Sequence, residues 1–347
     1  MKKIYLFLVL VSFSLLSCKS KSDEENQEKS TKNEQTASFR IALGSCNRQD
    51  MSQEFWSTIE KDSADIFIWG GDNIYADTPD MKLMEAKYDT LKNNNYYQSF
   101  VNQLPYGTIG VWDDHDYGPN NSDRSYRMRE EALEIFRRYW ANPGYGTSET
   151  DGIFTKYKYS DVEFFLMDDR YHRAPNQLKK EDKDFFGEAQ LQWLMDSLVS
   201  SNATFKIVVV GNQVTNKMKD SESLIAYGEE YEQLMDFLDK HDIPGVLFLS
   251  GDRHFTELLK TDREDSYPIY EFTSSPLSSG TYGDLNESEE YDNPQRVDGT
   301  LVYDDQNFGM MHVRGEEDNR RLVLETYGSD GEMLWDYTIH ENDLTNK

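Results

Sequence analysis

The stretch Asp65-Ile66-Phe67-Ile68-Trp69-Gly70-Gly71-Asp72-Asn73-Ile74-Tyr75 carries the main clue to the fold. A short, unbroken apolar run closed by glycines predicts a strand over Asp65–Trp69 that is buried on both faces. An acid and an amide follow at its carboxyl end. The same arrangement recurs along the chain. Phe39–Leu43 runs into Gly44-Ser45-Cys46-Asn47, and Tyr106–Trp112 into Asp113-Asp114-His115-Asp116. Val162–Met167 ends in Asp168-Asp169-Arg170, Phe205–Val210 in Gly211-Asn212-Gln213, and Val246–Leu249 in Ser250-Gly251-Asp252-Arg253-His254.

Any one of these clusters is an ordinary turn or N-cap. Six of one chemical type are not. In open α/β sheets ligands bind outside the carboxyl ends of the strands. If the strands are neighbours, acids, amides, a thiol and two histidines meet in one crevice. Carboxylates packed that densely repel one another or take up protons, and bound cations are the simplest remedy.

Between the strands, helical periodicity covers Gln53–Lys61, Met81–Asn93, Ser125–Trp140, Gly187–Val199 and Glu229–Lys240. Ile153–Tyr159 and Val162–Met167 form a hairpin around Ser160-Asp161. The carboxyl part is β-rich, with Ile269–Thr273, Gly309–Val313, Leu322–Thr326 and Met333–Ile339. A long polar insertion, Ser274 to Asn307, interrupts it, and with the Pro119–Arg124 loop it is placed to shape access. The expected class is α/β: a mixed β-sandwich flanked by helices, with a metal site at the carboxyl ends of central strands.

With 347 residues there is room for one large domain or two modest ones. The formal net charge of -28, without a basic stripe, argues against nucleic-acid binding. Met1-Lys2-Lys3 and the apolar run Ile4 to Leu16 make a signal rather than a span. Leu15-Leu16-Ser17-Cys18 is similar to a bacterial lipoprotein signal, which makes residues 1–17 the leader and Cys18 the lipidated residue. A core helix or an ordinary cleaved signal is the alternative. Residues 18–38 then form a polar tether and 39–347 the folded domain. Lys19 in place of an aspartate points to the outer membrane, periplasmic or surface-exposed, and Asp23-Glu24-Glu25 resembles a surface-export signal. Cys46 then has no disulfide partner; it is either a metal ligand or a buried inert thiol.

Several blocks carry a family resemblance. Gly71-Asp72-Asn73-Ile74-Tyr75 is similar to the Gly-Asp-x-x-Tyr block of metallophosphoesterases. Trp112-Asp113-Asp114-His115-Asp116 and Ser250-Gly251-Asp252-Arg253-His254 resemble the Gly-Asn-His and Gly-His-x-His blocks in the form they take in the PhoD-like alkaline phosphatases. Gly44-Ser45-Cys46, Met167-Asp168-Asp169-Arg170-Tyr171 and Gly211-Asn212-Gln213 match in order and spacing. The resemblance implies Fe3+ held by Cys46, Asp72, Tyr75 and Asp252. It implies a second, calcium site on Asp72, Asp114 and His254, with Asn212 as a further candidate. It makes His115 the general acid, with Asp116 in support. Arg170 is either a phosphate clamp or a salt-bridge partner. Metal-activated water would attack a small-molecule or lipid phosphate ester in line. The alternatives are a phosphodiesterase or phospholipase on the same scaffold, and a non-catalytic surface lipoprotein. No protein partner can be inferred.

Overall fold

The computed structural model describes residues 37–218, 221–316 and 319–346. The leader, Cys18 and nearly all of the tether lie outside the described residues. From the amino end the elements are β1 (Ala37–Gly44), α1 (Trp56–Ile59), β2 (Ile66–Gly70), α2 (Met81–Lys92), α3 (Asn95–Gln103), β3 (Thr108–Val111), α4 (Asp114–Tyr117) and α5 (Arg129–Tyr139). Next come β4 (Thr155–Tyr159), β5 (Val162–Leu166), α6 (Glu188–Ser200), β6 (Phe205–Val209), α7 (Gly228–Lys240) and β7 (Val246–Ser250). The remainder is β8 (Glu257–Arg263), β9 (Ser266–Thr273), β10 (Asn307–Arg314), β11 (Arg321–Gly328) and β12 (Met333–His340).

The strands form two six-stranded sheets, ordered β12-β11-β10-β1-β2-β3 and β4-β5-β6-β7-β9-β8. This is the mixed α/β sandwich expected. Within each sheet the apolar strands run parallel: β1 to β2 to β3, and β5 to β6 to β7 to β9. Their ends are level, with Gly44 opposite Trp69 and Gly70 opposite Val111. The polar clusters therefore leave each sheet at one rim. The sheets meet through aromatic rings. Phe39 stacks on Tyr159 at 4.1 Å, and Phe272 meets Trp335 at 5.2 Å.

Two glycines let the rims close on each other. A Cβ on Gly251 would lie 2.4 Å from the Gly70 carbonyl oxygen. Gly71, at φ +94°, would place one 2.8 Å from the Asp113 Cβ. Neither position admits a side chain without moving backbone.

Three elements were not expected from sequence: the single-turn α4, α3 and β8. The α3 segment is mostly polar. Asn94 caps it by accepting from the Tyr96 and Tyr97 amides, and its buried Tyr97 and Phe100 pack on Trp56. Tertiary packing makes this helix, not propensity. The β8 strand is an edge strand with a bulge between Thr261 and Arg263, which breaks the alternation that identifies strands. Two expected helices are shorter: α1 passes into a 3-10 turn at Glu60–Asp62, and α5 begins only at Arg129.

Candidate metal centre

Cys46, Asp72 and His254 present ligand atoms that all lie within 4.8 Å of one another, and so do Asp72, Asp114 and His115. Asp72 belongs to both groups. These residues come from the loops after β1, β2 and β7 and from α4, which follows β3, so the rim brings together what the chain keeps far apart. Cys46, Asp72, Asp252 and His254 all have left-handed backbones, with φ of 54°, 52°, 67° and 57°. A left-handed non-glycine residue costs about 1–2 kcal/mol. Four of them on one rim mark a site whose geometry is imposed by the surrounding fold.

The Cys46 sulfur lies 3.6 Å from Asp72 Oδ2 and accepts from the Ser275 hydroxyl at 3.1 Å. Burial alone would raise its thiol, but His254 and the Ser275 hydrogen bond outweigh that and hold it below its ordinary value. Burial pushes the Asp72 carboxyl well above the usual range, and the Cys46 and Asp114 charges add to the shift. The Tyr75 phenol is raised by burial first, then by Cys46 and Asp72. Asp252 lies within electrostatic reach of Cys46 and His254. Its Oδ2 is buried with no hydrogen bond. A carboxylate oxygen approached, among the described residues, only by Arg253 Nη1 at 3.6 Å, a thiol of lowered pKa and a shared, desolvated Asp72 fit a metal pair.

Both histidines are oriented by their Nδ1 atoms. In His254, Nδ1 donates to the Gly280 carbonyl at 2.6 Å, which leaves Nε2 at 2.9 Å from the Tyr75 hydroxyl. Its pKa rises to about 9: burial opposes this, but Cys46 and Asp252 prevail. The resemblance paired His254 with Asp114, whereas the structure groups it with Cys46 and Asp72, where a nitrogen ligand is better suited. In His115, Nδ1 meets Asp77 Oδ1 at 2.6 Å. Burial lowers its pKa, but the Asp77 bond and Asp114 carry it above the ordinary value.

Two further sequence assignments change, and Arg170 takes the salt-bridge form of its two readings. Asp116 does not support His115. Its carboxyl accepts from the Asp113 and Asn73 amides at 2.6 and 3.0 Å and from the Asn73 side chain at 2.6 Å, pinning the β2 and β3 loops together. Arg170 is a salt-bridge partner, with a side chain only 1% exposed. Its Nε donates to Asp113 Oδ1 at 2.6 Å and its Nη2 to Asn212 Oδ1 at 3.2 Å. Asn212 is committed at both ends. Its Oδ1 accepts from Arg170 and Arg173, and its Nδ2 donates to Asp113 Oδ2 at 2.9 Å, so no atom remains for a metal.

Asp77, Ser275, Gly280 and Arg173 were missed. Asp77 stands two residues past Tyr75, just before Thr78-Pro79, where an Asp reads as a turn residue. Ser275 and Gly280 belong to the 274–307 insertion, so its first turn is a wall of the site and not only a cover.

A protein-family model described as PhoD-like phosphatase matches residues 41–323. The chain belongs to that family. It is therefore a metal-dependent phosphoesterase. Among solved structures it is similar to one described as the structure of PhoD, at 15% identity, TM-score 0.66, over 87% of this chain and 72% of that one. A dimetal phosphatase from Danio rerio matches at 14% identity, TM-score 0.52, over 90% of this chain and 100% of that one. The anchor in the inner membrane complex of Plasmodium matches at 15% identity, TM-score 0.50, over 89% of both chains. At these identities the likeness is one of fold. No curated protein matches the sequence.

Proposed function

We propose that this PhoD-like phosphatase is a lipid-anchored, alkaline-phosphatase-D-like enzyme of the cell envelope. In this reading it releases phosphate from small-molecule esters close to the membrane. The observation that carries the reading is Asp72, shared between two ligand groups, one of which contains a thiol. Fe3+ suits Cys46, Asp72, Tyr75, Asp252 and His254, because thiolate and phenolate are strongly donating anions. Ca2+ suits the oxygen side, Asp72 and Asp114. Bound there, the ions would neutralise the phosphoryl oxygens and lower the pKa of a water.

The residues supply the rest. Asp114 is held ionised: burial would raise it, but Arg170, His115 and the Asn121 amide hold it below its ordinary value. His115 keeps a proton on its ring beside the crevice, with Nδ1 fixed by Asp77, and gives that proton to the leaving alkoxide. The fold alone does not imply turnover, since it is shared with a protein described as an anchor. The retained ligands favour an enzyme.

The test is elemental analysis of purified protein, joined to hydrolysis of p-nitrophenyl mono- and diesters. Iron, calcium and faster monoester hydrolysis are expected. Colourless, fully active protein holding only zinc would sink the metal assignment, and faster diester hydrolysis would make it a phosphodiesterase. The location rests on Cys18: wild type should fractionate with the outer membrane and Cys18→Ser should not.

A further inference from the structure

The arginine first considered as a phosphate clamp, Arg170, is committed elsewhere. Arg170 and Arg173 have side chains 1% exposed. Arg173 donates to the Tyr227 hydroxyl at 2.9 Å and to Asn212. Arg253 is 6% exposed and bound to Glu290 at 2.5 Å. Lys87 is spent on the Tyr75 and Ala76 carbonyls, at 2.7 and 3.0 Å.

Arg48 differs from all of these. It lies two residues past Cys46, and its side chain is 43% exposed. Its guanidinium carbon is 5.4 Å from the centroid of the Tyr75 ring. The same ring lies 4.2 Å from the His115 ring, and its hydroxyl reaches His254. Arg48 is thus beside both the metal-ligand group and the acid. It is also held in place. Nε and Nη2 fork onto Asp50, both at 2.9 Å, and the Arg48 carbonyl accepts from the Gln53 amide at 3.1 Å. The fork leaves Nη1 without a partner among the described residues. A guanidinium fixed along one edge presents the other as a planar donor pair, the geometry that binds phosphate oxygens.

We propose that Arg48 receives the outward, non-bridging oxygens of the substrate's phosphoryl group and so favours dianionic monoesters over monoanionic diesters. This rests on the phosphoesterase reading. In a chain of net charge -28, with Asp50 and Asp77 near the mouth, one well-placed cation has a large effect on anion binding.

The experiment compares wild-type, Arg48→Met and Arg48→Lys holoenzymes. It measures KM and kcat on p-nitrophenyl phosphate and methyl p-nitrophenyl phosphate, and calorimetric binding of inorganic phosphate. Arg48→Met should raise the monoester KM and weaken phosphate binding about tenfold, with a smaller loss on the diester and kcat little changed. Arg48→Lys, which keeps the charge but not the fork, should fall between. Asp50→Asn loosens the fork and should shift KM in the same direction, less far; it carries the test if Arg48→Met does not fold. Unchanged phosphate binding, or equal loss on both esters, overturns the proposal. A wild type that neither hydrolyses esters nor binds phosphate would instead sink the functional reading itself.

Discussion

Two groups of buried charge stand side by side at the rim. In one, Asp113, Arg170, Asn212 and Arg173 form a network of donors and acceptors, none of them in the left-handed region. In the other, Cys46, Asp72, Asp252 and His254 have left-handed backbones, and the Asp72 carboxylate is shared between two groups of ligand atoms. A satisfied network holds shape, while an unsatisfied one costs stability until a cation arrives. The contrast separates Asp113 from Asp114, although they are adjacent in the chain. Asp113 meets Arg170 squarely; Asp114 has only a 3.8 Å approach from it and joins Asp72 and His115 instead.

The sharpest way to break this contrast is to exchange one acid on the open side. Asp72→Asn should lose activity well beyond the roughly 10–100-fold typical of a supporting group. The metal-free protein should be no less stable for it, because the raised carboxyl works against folding near neutral pH. Steady-state kinetics and thermal melts check both halves. A variant that keeps most of its activity would remove Asp72 from the centre of the site.

The closed network should behave in the opposite way. Arg170→Met leaves Asp113 buried and unpaired, and should destabilise the protein by about 3–5 kcal/mol in denaturant titrations. Adding Asp113→Asn should recover part of that loss. If instead Arg170→Met folds normally and loses only phosphate affinity, Arg170 is a clamp after all.

The smallest expected effect sharpens the boundary between the groups at His115. Asp77 raises the His115 pKa, so His115 keeps its proton to higher pH. Asp77→Asn lets that pKa fall, and the alkaline limb of the pH–rate profile should move to lower pH by about one unit. The shift should appear with a poor leaving group and fade with an activated aryl ester, which needs no acid. An unmoved limb would assign the proton donor elsewhere.

Much of this was legible in the chain because strand ends are local features. An apolar run, a glycine and an acid fix a buried strand and what leaves it, so the six clusters and their convergence could be read without coordinates. The candidate metal ligands Cys46, Asp72, Tyr75 and Asp114 follow from the same logic together with the family blocks. Less legible were the partners. Asp116 and Asp77 are both acids near His115, and only the folded loops show that Asp116 faces Asn73 while Asp77 takes the imidazole. Asn212 and Arg170 carry the right chemistry for a site but spend it on each other.

By itself, then, the sequence determined which strands end in polar clusters, the acid-rich character of those clusters and the call for cations if they converge. Tertiary structure decided which side chains face the crevice and which are consumed in holding it. It also placed the start of the 274–307 insertion, through Ser275 and Gly280, against Cys46 and His254. The physical reason is range. Turn chemistry and burial are written in a few consecutive residues, whereas a hydrogen-bond partner 229 positions away, as for Ser275 and Cys46, exists only once two sheets have closed face to face.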